Sequence, residues 1–356
     1  MRRPPAPIKG RGAVGNPGSR YDRTTRERDE DLEEETDVAA PETRVTSETI
    51  RSIITRNSSP DIPFDRSINP YRGCEHGCIY CYARPAHAYL GLSPGLDFET
   101  RLVAKSDVAE VLERELARPN YVCRPIALGA NTDPYQPIER HYRSTRQILE
   151  VLHDWRHPVT ITTKSSLIER DLDLLATMAA DGLAEVQISV TTLEPGLARV
   201  LEPRATAPAR RLQTVAALAG HGIPVRVMIA PVIPFINDAE IETILAESAR
   251  HQARDAGYIV LRLPLEVADL FREWLETHFP QRATRVLHCV EEIHGGRIYD
   301  SRFGVRQSGS GRFAELLRQR FQLARRRHGL EGPLPRLACD LFRPPARPGG
   351  QLDLFD

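Results

Sequence analysis

The sequence has almost no lysine. Of its 48 basic residues only Lys9, Lys105 and Lys164 are not arginine. It also lacks a net charge, because 48 acidic residues balance the basic ones. That zero argues against a uniformly basic nucleic-acid binder. No apolar run approaches the roughly 18 residues of a membrane span, so no membrane partner is expected. The N-terminus, Met1-Arg2-Arg3-Pro4-Pro5, is basic but has no apolar stretch behind it. A secretory signal is therefore not expected, and the expected location is cytoplasmic. In that reducing compartment the six cysteines do not imply a disulfide framework. No internal repeat is visible.

The zero conceals segregated charge. Residues 21–37 hold nine acidic and three basic residues, and residues 297–330 hold nine arginines against Asp300 and Glu315. An anionic partner is therefore not excluded. The 356 residues suggest one large domain or two. Residues 1–43 are rich in Pro, Gly, Arg and acid and poor in large apolars. Such a segment buries too little surface to offset its ordering entropy, so mostly disorder is expected. Residues 331–356 carry Pro333, Pro335, Pro344, Pro345 and Pro348 with Gly349-Gly350, and a flexible tail is expected there.

Between these ends strands alternate with helices. Short apolar, β-branched runs at 67–71, 126–129, 159–163, 185–191, 225–230 and 258–261 read as strands. Helices fit 145–153, 170–180 and 209–221. Ser106 is placed to N-cap a helix carrying Val108, Val111, Leu112 and Leu116. Asn237 with Glu240 has the spacing of a capping box. About six β/α units predict an α/β fold over residues 44–265, with a parallel sheet either open or closed into a barrel. Ligands of such folds sit at the C-terminal ends of the strands. Residues 266–330 read as a helical, basic extension. There Phe313, Leu316, Leu317, Phe321 and Ala324 form an apolar stripe, with Arg318 and Arg325-Arg326-Arg327 largely off it.

The informative stretch is Tyr71-Arg72-Gly73-Cys74-Glu75-His76-Gly77-Cys78-Ile79-Tyr80-Cys81-Tyr82, with spacing C-x3-C-x2-C. Three thiolates on one short loop can hold three irons of a [4Fe–4S] cube, leaving the fourth iron open. Gly73 and Gly77 allow the positive φ that a tight curl needs. Two other readings stay open here: a zinc site completed by His76 or His87, and a chance group of buried thiols. Zinc motifs usually pair two such knuckles, and no second knuckle exists. Cys123, Cys289 and Cys339 read most simply as inert thiols.

The spacing, with an aromatic at Tyr80, resembles the signature of radical S-adenosylmethionine (SAM) enzymes. Tyr80-Cys81-Tyr82, Asn131-Thr132-Asp133-Pro134-Tyr135-Gln136-Pro137-Ile138-Glu139, Thr163-Lys164-Ser165 and Glu202-Pro203-Arg204 further resemble the branch related to spore photoproduct lyase. The likeness covers roughly residues 65–265. It implies a partial (β/α)6 TIM-like barrel, a [4Fe–4S] cluster on Cys74, Cys78 and Cys81, and SAM chelated at the open iron. It also implies an external reductant such as flavodoxin or ferredoxin, and cleavage of SAM to a 5′-deoxyadenosyl radical that takes a substrate hydrogen.

The same resemblance implies residue roles. Thr132 and Asp133 are expected at the SAM amino group, where a carboxylate suits an ammonium. Lys164 is expected at the SAM carboxylate, or else on the surface. Ser189 is expected at the ribose, or else as a satisfied core hydroxyl. Tyr80 is expected to offer its backbone to the adenine or to pack as core. With Tyr82 it is also a candidate for a radical relay. One departure stands out. The hydrogen-donating cysteine of spore photoproduct lyase, three residues before the aspartate of this turn, is here Ala130, which puts the lyase chemistry itself in doubt.

The chain ends Gln351-Leu352-Asp353-Leu354-Phe355-Asp356 on a Pro/Gly tether. This resembles the pentapeptide by which bacterial repair and replication proteins bind the DNA polymerase sliding clamp. It implies burial of Leu354 and Phe355, with Leu352 and Gln351 alongside. The alternative is a tail folded back on its own domain. Three functions follow: a radical SAM enzyme acting on nucleic acid, as in DNA repair; one acting on a protein, peptide or small metabolite; or a non-enzymatic metal-binding protein.

Overall fold

The computed structural model of the chain describes residues 7–22, 41–332 and 334–345. Ten strands occur among them: β1 (Arg44–Thr49), β2 (Ile54–Arg56), β3 (Arg66–Ile68), β4 (Tyr71–Arg72), β5 (Arg101–Ser106), β6 (Ile126–Leu128), β7 (Val159–Thr163), β8 (Ala184–Ser189), β9 (Val225–Val232) and β10 (Asp255–Val260). The helices are α1 (Asp97–Thr100), α2 (Val108–Leu116), α3 (Glu139–Tyr142), α4 (Ser144–Asp154), α5 (Leu172–Ala180), α6 (Pro195–Leu201), α7 (Pro208–Gly220), α8 (Ile241–Arg250), α9 (Val267–His278), α10 (Pro280–Ile293) and α11 (Gly311–Arg327).

Seven strands form the main sheet in the order β10-β9-β8-β7-β6-β3-β2. All neighbours are parallel except β2, which runs antiparallel to β3. Six parallel strands in chain order are what repeated right-handed β/α units build, so the expected α/β architecture is observed. The sheet is open among the described residues, with β2 and β10 at its edges. At the β10 edge the Val260 N–H donates to the Gln307 carbonyl and Asp255 bridges to Glu331. At the other edge the Ile53 and Ile54 N–H groups donate to the Glu115 carboxylate, both at 3.1 Å.

The six expected strands are present, but that at 67–71 splits into β3 and β4 around Asn69-Pro70. Proline cannot continue a ladder, and β4 turns into a second sheet of order β1-β5-β4. That sheet was not anticipated. Ser106 ends β5 instead of capping α2, whose N-cap is Asp107. The capping box at Asn237 is also absent. The Asn237 amide donates to the Thr191 carbonyl (2.8 Å) and the Pro231 carbonyl (3.0 Å) and accepts from the Ile233 N–H (2.6 Å). Glu240 instead accepts from Thr192 Oγ1 and the Leu193 N–H. These side chains tie the loop after β9 to the loop after β8, so tertiary partners displace the local cap.

The helical extension is not a separate body. A second core cluster joins Cys78, Ile79 and Tyr80 of the cysteine loop to Leu270, Phe271, Trp274 and Leu275 of α9 and Val286 and Val290 of α10. Residues 294–310 break the expected all-helical run. On α11 the buried face is Ala314, Leu317, Phe321 and Ala324, while Leu316 is 50% exposed and leaves the expected stripe.

Both ends correct the sequence reading. Residues 1–43 were expected to be mostly disordered, yet residues 7–22 pack on the core. Ala13 and Val14 are buried in the second cluster, and the Gly12 and Ala13 N–H groups donate to the Glu99 carboxylate at 3.0 and 2.9 Å. The tail expected from residue 331 is also a packed strap over its described part. Gly332, Ala338 and Arg343 donate backbone N–H groups to the Arg254, Gly182 and Trp155 carbonyls, which lie just before β10, β8 and β7. Phe342 packs against Tyr121, Trp155 and His157, with ring centroids 5.4, 6.0 and 5.4 Å away. The strap thus crosses the N-terminal ends of the strands. Gln351, Leu352, Leu354 and Phe355 lie outside the described residues.

Candidate iron–sulfur and SAM site

The cysteine loop starts just after β4. Gly73 and Gly77 adopt φ +73° and +66°, which lets the loop curl back on itself. A Cβ on Gly77 would meet Glu99 Oε2 at 2.7 Å and Pro203 Cγ at 3.2 Å, so the curl is also tightly walled.

Three braces hold the loop. Beneath it the fully buried Arg84 donates to the Cys78 carbonyl (2.9 Å), the Gly77 carbonyl (3.1 Å), the Pro94 and Gly95 carbonyls and the Glu99 carboxylate. On one side Gln136 accepts from the Glu75 N–H (2.9 Å) and donates to the Gly73 carbonyl (3.1 Å). On the other side the segment after α6 follows the loop. Ile79 N–H donates to the Leu201 carbonyl, Arg204 N–H donates to the His76 carbonyl, and Arg204 pairs with Glu75 at 3.1 Å. The Asn131–Glu139 and Glu202–Arg204 segments are therefore supports of the loop. None of the Arg84, Glu99 and Gln136 roles was anticipated. The available signal was Arg84 standing inside the apolar run around Ala83 and Ala86.

Cys74 and Cys78 are buried and Cys81 is half-buried. Burial pushes the Cys78 thiol up to about 12, against the pull of Lys164. Cys74 is pushed up by burial and by the fields of Asp133, Cys78 and Cys81. The three sulfurs are thus close enough to feel one another. Metal binding here must displace protons, which makes it pH-dependent.

Among the described residues no three His, Cys, Asp or Glu side chains converge as the ligands of one ion would. A cube binds each thiolate at a different iron and does not need that convergence. Each imidazole open to zinc has one ring nitrogen engaged: His76 Nδ1 lies 3.2 Å from Asp133, and His87 Nε2 lies 3.0 Å from the Arg101 carbonyl. The donor set fits an iron–sulfur group held by Cys74, Cys78 and Cys81.

The other expected residues surround this loop with mixed outcomes. Lys164 follows β7 with its ammonium 5.8 Å from the Tyr80 ring centroid, and it feels Cys78, Glu202 and Asp133. It is no solvated surface lysine. Asp133 accepts from Tyr135 N–H, Thr163 Oγ1 and Lys164 N–H as well as facing His76. Burial opposes its charge, but His76, Thr163 and Lys164 hold its carboxyl at about 2. These four partners match a carboxylate's acceptor capacity, so Asp133 serves first as a knot between two strand ends. Thr132 Oγ1 donates to the Tyr71 carbonyl at 2.9 Å. Ser189 is buried at the end of β8, and its carbonyl accepts from Arg211.

Tyr80 is core, with its hydroxyl donating to Glu202. Glu202 also accepts from Thr191 Oγ1 (2.5 Å) and from Arg211, both partners of the ion pair being fully buried. Burial would raise Glu202, yet Arg211, Lys164, Thr191 and Tyr80 hold it at about 2. Tyr82 is different: 46% exposed, it donates to the carbonyl of Ala130. The Arg262 guanidinium, just past β10, sits 5.1 Å from the Tyr82 ring centroid and 5.9 Å from that of Tyr299. Its Nε is buried without a hydrogen-bond partner. A separate cavity of about 600 Å³ opens beside the loop, lined by Thr43, Glu75, Ile138, His141, Tyr142 and Arg204 among others, and none of the expected SAM ligands lines it.

A sequence model described as the Radical SAM superfamily matches residues 68–247. The chain is 37% identical to an uncharacterized protein of Mycobacterium tuberculosis over 226 residues, covering 63% of this chain and 66% of that protein. It is 28% identical to an uncharacterized protein of Methanocaldococcus jannaschii over 214 residues, 60% of this chain and 76% of that one. The match thus spans just under two thirds of the mycobacterial relative. In structure it is similar to a variant of spore photoproduct lyase, with TM-score 0.58 and 15% identity over 81% of this chain and 80% of the other. Another similar structure is that lyase complexed with dinucleoside spore photoproduct, with TM-score 0.57 and 16% identity over 80% and 79%. With three thiols on one loop at the head of six parallel strands, and a family match across half its length, the chain belongs to the radical SAM superfamily.

Proposed function

We propose that the chain is a radical SAM enzyme whose Cys74, Cys78 and Cys81 hold a [4Fe–4S] cluster, and whose substrate is a nucleic acid. When bound, such a cluster, reduced by a donor such as flavodoxin or ferredoxin, cleaves SAM and supplies a 5′-deoxyadenosyl radical. The protein contributes position and charge. Arg84, Gln136 and the segment after α6 fix the loop. Lys164 places a cation beside the loop and Glu202, suited to a cofactor carboxylate. Ser189, at the end of β8, is read as the partner of a ribose hydroxyl, and the turn of Thr132 and Asp133 as the part that would meet the amino-acid end of the cofactor. Tyr80, buried against Glu202, keeps its proton, whereas Tyr82 is partly exposed and reaches the surface where substrate would lie.

The observation that carries the reading is the braced three-thiol loop with Lys164 over Tyr80. For the substrate, support comes from Tyr82, Arg262 and Tyr299 at the strands' C-terminal ends. A guanidinium set against two tyrosine rings suits stacking with bases and attraction to phosphate. The likeness to a lyase solved with a dinucleoside agrees with this. Helix α11 contributes less than its arginines suggested. Arg318, Arg320 and Arg325 pair with Glu315, Glu242 and Asp255 of the same chain. With Ala130 in place of a cysteine, the lyase's own hydrogen return is not proposed.

The test is anaerobic reconstitution with iron and sulfide, then reductant, SAM and candidate substrates, with 5′-deoxyadenosine as readout. A four-iron cluster and product are expected, both lost in Cys78→Ala. A full cluster with no 5′-deoxyadenosine refutes the enzyme reading. Stimulation by a peptide or metabolite but not by ultraviolet-damaged DNA or RNA refutes the substrate reading. The terminal Gln351, Leu352, Leu354 and Phe355 are proposed to bind the sliding clamp. Leu354→Ala with Phe355→Ala is expected to abolish binding to immobilised clamp, and unchanged binding refutes that role.

A further inference from the structure

We propose that Cys123 and Cys339 form a reversible intramolecular disulfide that fastens the C-terminal strap to the N-terminal ends of the sheet. The sequence reading gave both cysteines no role, and the three cysteines of the iron–sulfur loop lie at the opposite ends of the strands. Cys123 sits in the loop between α2 and β6. Cys339 sits in the strap, on the turn closed by the Phe342 N–H and the Cys339 carbonyl. Packing brings them together. Phe342 lies against Tyr121, two residues before Cys123, and the strap is pinned on either side by the Ala338 and Arg343 backbone bonds. The Cys339 sulfur is also among the groups that act on the Cys123 thiol. Both are free and half-buried, so a small oxidant can reach them. The groups that act on Cys289, buried on α10, are Glu292, Asp238 and Arg285, with no cysteine among them.

The chemistry is thiol–disulfide exchange with a low-molecular-weight disulfide such as oxidised glutathione. One protein thiolate attacks a sulfur of the oxidant and expels one glutathione thiol. The second protein thiol then displaces the other glutathione from the mixed disulfide. Two protein thiols lose two electrons and two protons, and oxidised glutathione becomes two glutathione thiols. Burial and the neighbouring Cys339 sulfur push the Cys123 thiol up to about 12, so the exchange quickens as pH rises. Because the bridged residues are far apart in the chain, the link sharply restricts the unfolded ensemble.

The test uses the full chain, purified anaerobically and incubated with excess oxidised glutathione, then alkylated, digested and analysed by mass spectrometry without reductant. A linked pair of peptides holding Cys123 and Cys339 is expected. It should disappear with dithiothreitol and be missing in Cys339→Ser. The thermal midpoint of the wild type is expected to rise on oxidation and that of Cys123→Ser and Cys339→Ser to stay unchanged. Separate glutathione adducts on the two residues, or a link from either to Cys289, overturns the proposal.

Discussion

Replacing Glu202 by glutamine isolates the buried knot behind the cysteine loop. The carboxylate, ordinarily near 4.5, is held at about 2 by Arg211, Lys164, Thr191 and Tyr80 against the cost of burial. At roughly 1.4 kcal/mol per unit, that depression is worth about 3 kcal/mol at neutral pH. Breaking one side of a buried ion pair costs about 3–5 kcal/mol, a consistent figure. The sign follows from the depressed value. The contribution is complete above about 4.5 and is lost as pH falls toward about 2, since the unfolded chain takes up the proton first. Urea denaturation of metal-free wild type and Glu202→Gln should therefore differ by about 3 kcal/mol at pH 7.5. By pH 3.5 the difference should shrink by about 1–1.5 kcal/mol. Comparing the two chains at each pH removes the other acidic groups from the result. A difference below about 0.5 kcal/mol at pH 7.5, or one unchanged at pH 3.5, refutes the knot as described.

Arg84→Met leaves the Glu99 carboxylate buried without its guanidinium and frees four carbonyls; a loss of about 3–5 kcal/mol in urea denaturation and lower iron per chain after reconstitution are expected. Gly12→Ala puts a Cβ 1.8 Å from the Gly77 carbonyl oxygen, so residues 7–22 should lift from the loop, seen as faster proteolytic cleavage near Arg11 while the cooperative unfolding transition persists. Burial lowers His157 to about 4. Its NMR resonances should show no titration between pH 8 and 5, and stability should decline as pH falls from about 6.5 toward 4, because only the unfolded imidazole protonates there.

What was legible in the sequence follows from periodicity and chemistry. Runs such as Val159–Thr163 and Val225–Val232 stood out because strands inside a parallel sheet are rich in β-branched residues. The cysteine loop stood out because thiolates at that spacing have few other uses. The missed features were those in which few residues carry the packing. Ala13-Val14 and Phe342 anchor segments full of proline and glycine, and one or two anchors leave no period to detect. β5 was hidden because Ser106 offered a cap for α2 that the structure does not use. The Asn237 and Glu240 side chains resembled a local cap while bonding to distant loops. Asp133 stood out for its charge, while the partners that already use it come from three segments that only the fold brings together.

An unclosed sheet exposes two rows of backbone groups, each a template on which another chain could add a strand and begin to aggregate. Here both rows are already interrupted. Gln307 takes the Val260 N–H and Glu331 covers the start of β10. On the far side the Glu115 carboxylate takes two N–H groups at the start of β2 and sets a negative charge where an incoming strand would have to present its carbonyls. Solubility thus depends on side chains and loop segments that take no part in chemistry. Loss of Glu115 or of the strap after residue 330 should appear as self-association before it appears as a change in the active site.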